Sequence, residues 1–227
     1  MPADTFIAPQ CNQQIELLYE DEHLLLINKP SGLLSLSGKN PLNKDSVYER
    51  MLVDYPQAKM IHRLDFGTSG IMVLALSKSV NAHLTKQFQL RTIEKTYSAI
   101  LYGELANDEG LIDAPIARDE FPYQKVCAIE GKPAQSEYRV LTRNIDSASG
   151  HKTTEVLFRP KTGRTHQLRV HSQSIGHPII GCDLYNAIVD GVDTQALSKR
   201  LCLHATSLAF THPVSKQELK FECPSSY

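Results

Sequence analysis

The stretch His62-Arg63-Leu64-Asp65-Phe66-Gly67-Thr68-Ser69-Gly70-Ile71-Met72-Val73-Leu74-Ala75-Leu76 sets a polar, glycine-bearing segment directly against an unbroken apolar run. Six apolar residues bounded by serine and glycine predict a buried strand over 71–76. The residues before it then form a loop on a rigid support. Gly67 and Gly70 permit backbone conformations that other residues resist, so the loop can hold Asp65 in an open geometry. Asp65 is therefore the first candidate for chemistry, although an Asp beside Gly is more often only a turn former.

On the N-terminal side, residues 15–28 read as two strands around the polar turn Glu20-Asp21-Glu22, and Lys29-Pro30-Ser31-Gly32 ends the second. Residues 35–45 are rich in Ser, Gly, Asn, Pro and Lys and read as a surface loop. Ser46 and Glu49 have capping-box spacing for a helix running to about Tyr55. Downstream, Ser77 or Ser79 caps a helix whose apolar stripe is Val80, Leu84 and Phe88. Thr96 to Tyr102 reads as a strand closed by Gly103.

Residues 107–120 are acidic and interrupted by Pro115, which suggests a loop excursion away from any RNA, and 121–134 read as irregular. Residues 135–143 and 153–159 read as paired strands across a polar connection. Lys161–Arg164 is a turn before a helix over about 165–175, which Gly176 stops. Leu208 and Phe210 face Leu219, Phe221 and Cys223 in a final hairpin. The fold class is α+β: a mixed, mostly antiparallel sheet flanked by helices and loops. Residues 1–14 form a short extension and 15–227 a single domain.

Composition narrows the function classes. The chain has 227 residues, 41% hydrophobic and 22% charged, as for a globular protein in water. No apolar run approaches the ~20 residues a membrane helix needs, and Met1 to Cys11 lacks the pattern of a signal peptide. The five cysteines are scattered and never in a CxxC pair, which argues for free thiols in a reducing cytoplasm and against a zinc site. The net charge of −1 hides a distribution. Residues 1–22 hold five acids and no Lys or Arg, so the remainder keeps all 24 bases against 20 of the 25 acids. Arg159, Lys161, Arg164 and Arg169 lie within eleven residues that contain no acid. A local basic patch suffices for binding phosphate; a solvated charged turn would look the same.

Four groups of residues could carry chemistry. Arg63 and Asp65, two apart, point the same way in an extended segment, and an arginine beside a carboxylate fixes its charge and orientation. Lys161 to His171 combines a glycine turn, a helix start and arginines, which suits phosphate or carboxylate. His166 and His171 are five apart and do not share a helix face, so the metal reading is weak. Ser69 lacks the surroundings of a hydrolase nucleophile. Tyr97, inside a strand, offers a ring for base stacking, though a strand tyrosine is more often core. Unaided, these features point to an RNA or phosphate substrate and an Asp–Arg site.

Together the motifs resemble the RluA family of pseudouridine synthases. The resemblance rests on Asn28-Lys29-Pro30-Ser31-Gly32, His62-Arg63-Leu64-Asp65 with Thr68-Ser69-Gly70, Lys95-Thr96-Tyr97-Ser98-Ala99, Gly163 to His171, Gly176-His177-Pro178-Ile179 and Leu203-His204-Ala205. They appear in family order from about residue 15 to 224. One departure is Gly181-Cys182-Asp183-Leu184-Tyr185, where the family commonly has Gly-Asp-x-x-Tyr; it puts the local packing in doubt, not the chemistry. The basic S4-type module that many relatives carry before the first strand is absent.

The resemblance implies the family's catalytic fold and isomerisation of uridine to pseudouridine, without metal or cofactor, by a cytoplasmic monomer. It implies Asp65 as the essential carboxylate, Arg164 pairing with it, and Tyr97 stacking on the flipped base. Arg63 would occupy the space that the base vacates. Lys161 and Arg169 would hold phosphates, with Leu168 also at the substrate. The loops 32–35, 55–58 and 125–135 look like those of the family's short dual-specificity member. That implies as substrates a uridine at the start of a tRNA anticodon loop and one in a 23S rRNA hairpin. The alternatives are the same chemistry on another RNA site, or a non-catalytic RNA-binding protein on the same fold.

Overall fold

The computed structural model describes residues 6–145, 150–185, 187–225 and 227. Part of the polar connection expected between residues 143 and 153, namely 146–149, lies outside them. In chain order the elements are β1 (Glu16–Glu20), β2 (Leu24–Lys29), α1 (Val47–Asp54), β3 (Lys59–Met60), β4 (Ser69–Ala75), α2 (Lys78–Leu90) and β5 (Glu94–Tyr102). Then come β6 (Glu109–Asp113), β7 (Ile116–Arg118), β8 (Gln124–Val126), β9 (Gln135–Ile145), β10 (Lys152–Pro160) and α3 (Gln167–Ser174). The last are β11 (Ile188–Val189), β12 (Val192–Asp193), β13 (Leu203–Thr211) and β14 (Glu218–Glu222). The class is α+β, as expected. The chain forms two compact units: residues 1–94 with 205–226, and residues 95–204 with 227. The divisions fall inside β5 and inside β13.

In the first unit the strands run β1-β2-β4-β13, with β14 on β13 and β3 on β4. β2 pairs antiparallel with β4 from Leu24↔Ala75 to Lys29↔Gly70, and every residue of β4 is buried. The apolar run thus becomes a strand covered on both faces. Gly70 is indispensable there. Its φ is +114°, and a Cβ would lie 2.3 Å from the Ala205 carbonyl oxygen of β13.

Helix α1 starts where the capping box places it, with Ser46 Oγ accepting from the Glu49 N–H at 3.2 Å. Ser77 caps α2 through the Val80 N–H at 3.2 Å. One expectation for α2 is corrected: beside Val80 and Leu84 the buried residue is Gln87, and Phe88 is only half-buried. The Gln87 amide donates to the Thr211 carbonyl at 2.8 Å and accepts from its N–H at 3.0 Å, pairing with the end of β13 like a short strand.

In the second unit β5, β10, β9 and β6 pair antiparallel in that order, and α3 buries Gln167 to Ser172. Its core gathers Leu101, Val156, Phe158, Leu168, Val170 and Ile179. The expected loop excursion over 107–120 is corrected to two strands, and 121–134 is not wholly irregular. β6 pairs with β9 from Glu109↔Arg139 to Asp113↔Gln135, and β7 pairs with β8. The acids of β6 face outward while Ile112 is buried, and Pro115 falls between β6 and β7 rather than inside either.

Candidate active site

The Asp65 loop is held by main-chain carbonyls, and the residues that hold it come from the end of β2. Lys29 is 0% exposed, and its ammonium donates to the carbonyls of Pro30 at 2.9 Å, Phe66 at 3.2 Å and Thr68 at 2.8 Å. A buried lysine is tolerable only with such a set of acceptors. Ser31 Oγ donates to the Gly67 carbonyl at 2.7 Å, and the Gly32 N–H to the Phe66 carbonyl at 3.0 Å. Ser35 Oγ donates to the Leu64 carbonyl at 2.7 Å and accepts from the Leu64 N–H at 3.1 Å. Gly32, at φ +76°, makes the turn that presents these groups.

The loop therefore alternates. Arg63 is exposed, Leu64 is buried, and Asp65 is half-buried on the opposite side from Leu64. The Asp65 carbonyl accepts from the Thr68 N–H at 3.1 Å, which closes the turn behind the carboxylate. His62 Nε2 accepts from the Val73 N–H of β4 at 3.1 Å, which makes Nε2 the unprotonated nitrogen. Its ring stacks on Phe88 with centroids 4.7 Å apart. His62 is thus an anchor of the loop. Phe66, next to the carboxylate, meets the ring of Phe6 edge-on at 5.5 Å.

The second unit carries the other expected residues. Tyr97 lies on β5 opposite Phe158 of β10 and is half-buried. Lys95, two residues earlier, shares its face of the strand. The basic turn is built around one amide. The Gln167 side-chain oxygen accepts from Thr162 Oγ1 at 2.7 Å and from the Arg164 N–H at 3.0 Å. Its nitrogen donates to the Gln135 carbonyl at 3.0 Å and to Ser136 Oγ at 2.9 Å. Arg164 Nε donates to the Pro133 carbonyl at 3.1 Å, and the outer guanidinium nitrogens have no hydrogen bond or ion pair among the described residues. Lys161 pairs with Glu137 at 2.8 Å, and both remain about half exposed.

Two of the expected RNA contacts lie inside the unit. Arg169 is 3% exposed, ion-paired with Asp183, 3.2 Å from Cys182 Sγ, and over the Tyr185 ring at 5.2 Å. Leu168 is 6% exposed in the core. A helix start that buries six consecutive residues leaves neither side chain on the surface. The unusual segment Gly181–Tyr185 is what receives Arg169, and Tyr185 hydroxyl also meets His166 Nδ1 at 2.7 Å and accepts from the Gln124 N–H at 2.8 Å. The doubtful loop is thus closely packed. His171 is fully buried between Ser136 Oγ and the Ala114 carbonyl, each 2.9 Å away, and burial holds its pKa below the ordinary imidazole value.

What sequence reasoning missed is the work of Lys29 and Ser35. Lys29 read as the end of a strand; its signal was a lysine following four consecutive apolar residues, Leu24 to Ile27, with only Asn28 between. The first unit presents a loop carboxylate beside a strand buried on both faces, and the second, taken by itself, presents a cation-bearing turn. Among the described residues no three His, Cys, Asp or Glu are grouped as a metal site. No helix among them is long and apolar enough to cross a membrane.

A sequence profile described as RNA pseudouridylate synthase matches residues 23–174. The dual-specificity RNA pseudouridine synthase RluA of Yersinia pestis is 46% identical over 213 residues, 93% of this chain and 99% of that protein. The protein of the same name from Escherichia coli K12 is 43% identical over 93% of each chain. Among solved structures, human RNA pseudouridylate synthase domain containing 1 superposes with a TM-score of 0.78 at 26% identity, covering 96% of this chain and 86% of that one. Human RNA pseudouridylate synthase domain containing 4 gives 0.70 at 26% identity, covering 92% and 88%. With the profile spanning most of the chain and relatives of this identity along nearly its full length, the chain belongs to the RNA pseudouridylate synthase family.

Proposed function

We propose that this pseudouridine synthase modifies uridines in the stem-loops of two RNAs: one at the start of a tRNA anticodon loop and one in a 23S rRNA hairpin. The observation that carries the reading is the 46% identity, over 93% of the chain, to a relative named a dual-specificity RNA pseudouridine synthase. The reaction breaks the C1′–N1 bond, forms C1′–C5, releases the C5 proton and protonates N1. It leaves oxidation state unchanged, so no electron carrier is called for. The uridine leaves its stack first, at a cost of a few kcal/mol that is least in a loop.

In this reading Asp65 is the essential carboxylate, and the carbonyl-clamped loop keeps it in place before substrate arrives. Exposed Arg63 fills the gap left by the flipped base. Tyr97 stacks on that base, and Arg164 supplies a planar, permanently charged group for the reaction. Lys161 exchanges Glu137 for a phosphate. Arg169 and Leu168, enclosed in the second unit, make no RNA contact in this reading. The enzyme works as a monomer in the cytoplasm, where its five free cysteines stay reduced.

The test has two arms. Bulk RNA carrying 5-tritiated uridine, from cells lacking the gene, should release tritium with the enzyme and not with Asp65→Asn, while Asp65→Asn still binds that RNA. Retained turnover would remove Asp65 from the mechanism. A transcriptome map of pseudouridine in the deletion strain should lose one tRNA anticodon-loop site and one 23S site; loss at other positions would reassign the substrates.

A further inference from the structure

Lys29 and Lys95 are both drawn away from water, and only Lys29 is satisfied. Lys29 spends its ammonium on three carbonyls. Lys95 is half-buried on β5, and among the described residues its ammonium has neither a hydrogen-bond acceptor nor an ion-pair partner. Burial alone pushes its pKa below the usual lysine value, with no carboxylate pulling it back. Nor is it sealed: Lys95 keeps part of its surface exposed to solvent. A cation kept in a half-desolvated place without a counter-ion costs stability, and a methionine would fill the same space without that cost.

Its position says what would compensate it. The Lys95 ammonium lies 3.4 Å from where a Cβ on Gly163 would stand, at the centre of the turn Lys161-Thr162-Gly163-Arg164. On β5 it shares a face with Tyr97. We propose that Lys95 is a phosphate-binding residue of the RNA site, its ammonium taking a backbone phosphate oxygen of the bound RNA beside Gly163. An ammonium is a compact, strongly hydrated point charge, and the anionic groups that RNA offers it are phosphates. The small residue at 163 leaves the approach open from the turn. The neighbouring Lys161 already has Glu137, so Lys95, like the outer end of Arg164, is a cation beside this turn whose counter-ion must come from outside.

This rests on the RNA-modifying reading above. The probe is the tRNA fraction from cells lacking the gene, bound to the full chain and to Lys95→Met and Lys95→Arg across a salt series. Lys95→Met should lower the slope of log K against log salt by about 0.7–0.9, the loss of one phosphate contact. It should raise KM about tenfold with kcat within about threefold, as loss of one charge-assisted hydrogen bond does, and Lys95→Arg should restore the slope. Its melting temperature should equal or exceed that of the parent, because an uncompensated buried charge is gone. An unchanged slope, or a lower melting temperature in Lys95→Met, would overturn the proposal by making the lysine neutral-contacting or structural. If the parent released no tritium from bulk RNA, the function above would fall, while the slope difference would still decide Lys95.

Discussion

The role proposed for Arg164 depends on side-chain shape as well as charge. Its Nε is held by the Pro133 carbonyl and its N–H by Gln167, so the planar end of the guanidinium is aimed by the turn itself. Lysine at this position keeps the charge and loses both the fork and the Nε tether. Arg164→Lys should therefore reduce kcat on the order of a hundredfold, the usual cost of removing one preorganised donor. Its RNA affinity should stay close to that of the parent. Single-turnover tritium release against filter binding separates the two, and an unaltered kcat would take Arg164 out of the reaction. Arg63, Asp65, Tyr97 and Arg164 were all legible as candidates because their residue types suit the chemistry. Arg169 was not legible as a buried group: nothing in its own neighbourhood announces Asp183, fourteen residues on, as its partner.

The strand β4 is the element on which the Asp65 loop depends, and its least tolerant position is Gly70. Alanine there combines a left-handed backbone with a Cβ against the Ala205 backbone, at 2.5 Å from its nitrogen as well as 2.3 Å from its oxygen. Gly70→Ala should cost more than about 2 kcal/mol of stability. Urea unfolding should show a lower midpoint at constant slope; an unchanged midpoint would mean that β13 can move away freely. Elements with a local signal were readable in advance. Ser46 with Glu49, Ser77 with Val80, and the run 71–75 each contain their own cap or burial pattern. β6 and the buried face of α2 were not readable, because what decides them is distant. Arg139 to Gln135 must be in place before Glu109 to Asp113 is a strand, and Gln87 is core only because Thr211 supplies both an acceptor and a donor for its amide.

Acid should loosen the protein through His171. Its folded pKa lies below the ordinary 6.5 because burial disfavours the imidazolium. As pH falls through about 6.5, the unfolded chain takes up a proton that folded His171 refuses, so stability drops until the lowered folded pKa is reached. Between about pH 7.5 and about pH 5.5 the unfolding free energy should fall, and His171→Gln should lessen the fall. An equal loss in the variant would assign the sensitivity elsewhere. The first unit has a different dependence, because it is made of two stretches of chain. Residues 1–94 supply the Asp65 loop and its clamp, but Ala205, which lies against Gly70, belongs to β13. At about 5–20 residues per second, Ala205 leaves the ribosome roughly 7–27 s after Gly70. For that interval the nascent chain carries the Asp65 loop without the β13 backbone that lies against Gly70. Asp65, proposed as the essential carboxylate, is translated early, and the sheet beneath its loop is completed only after the whole second unit has emerged, so a partly made chain should not modify the RNAs that surround it.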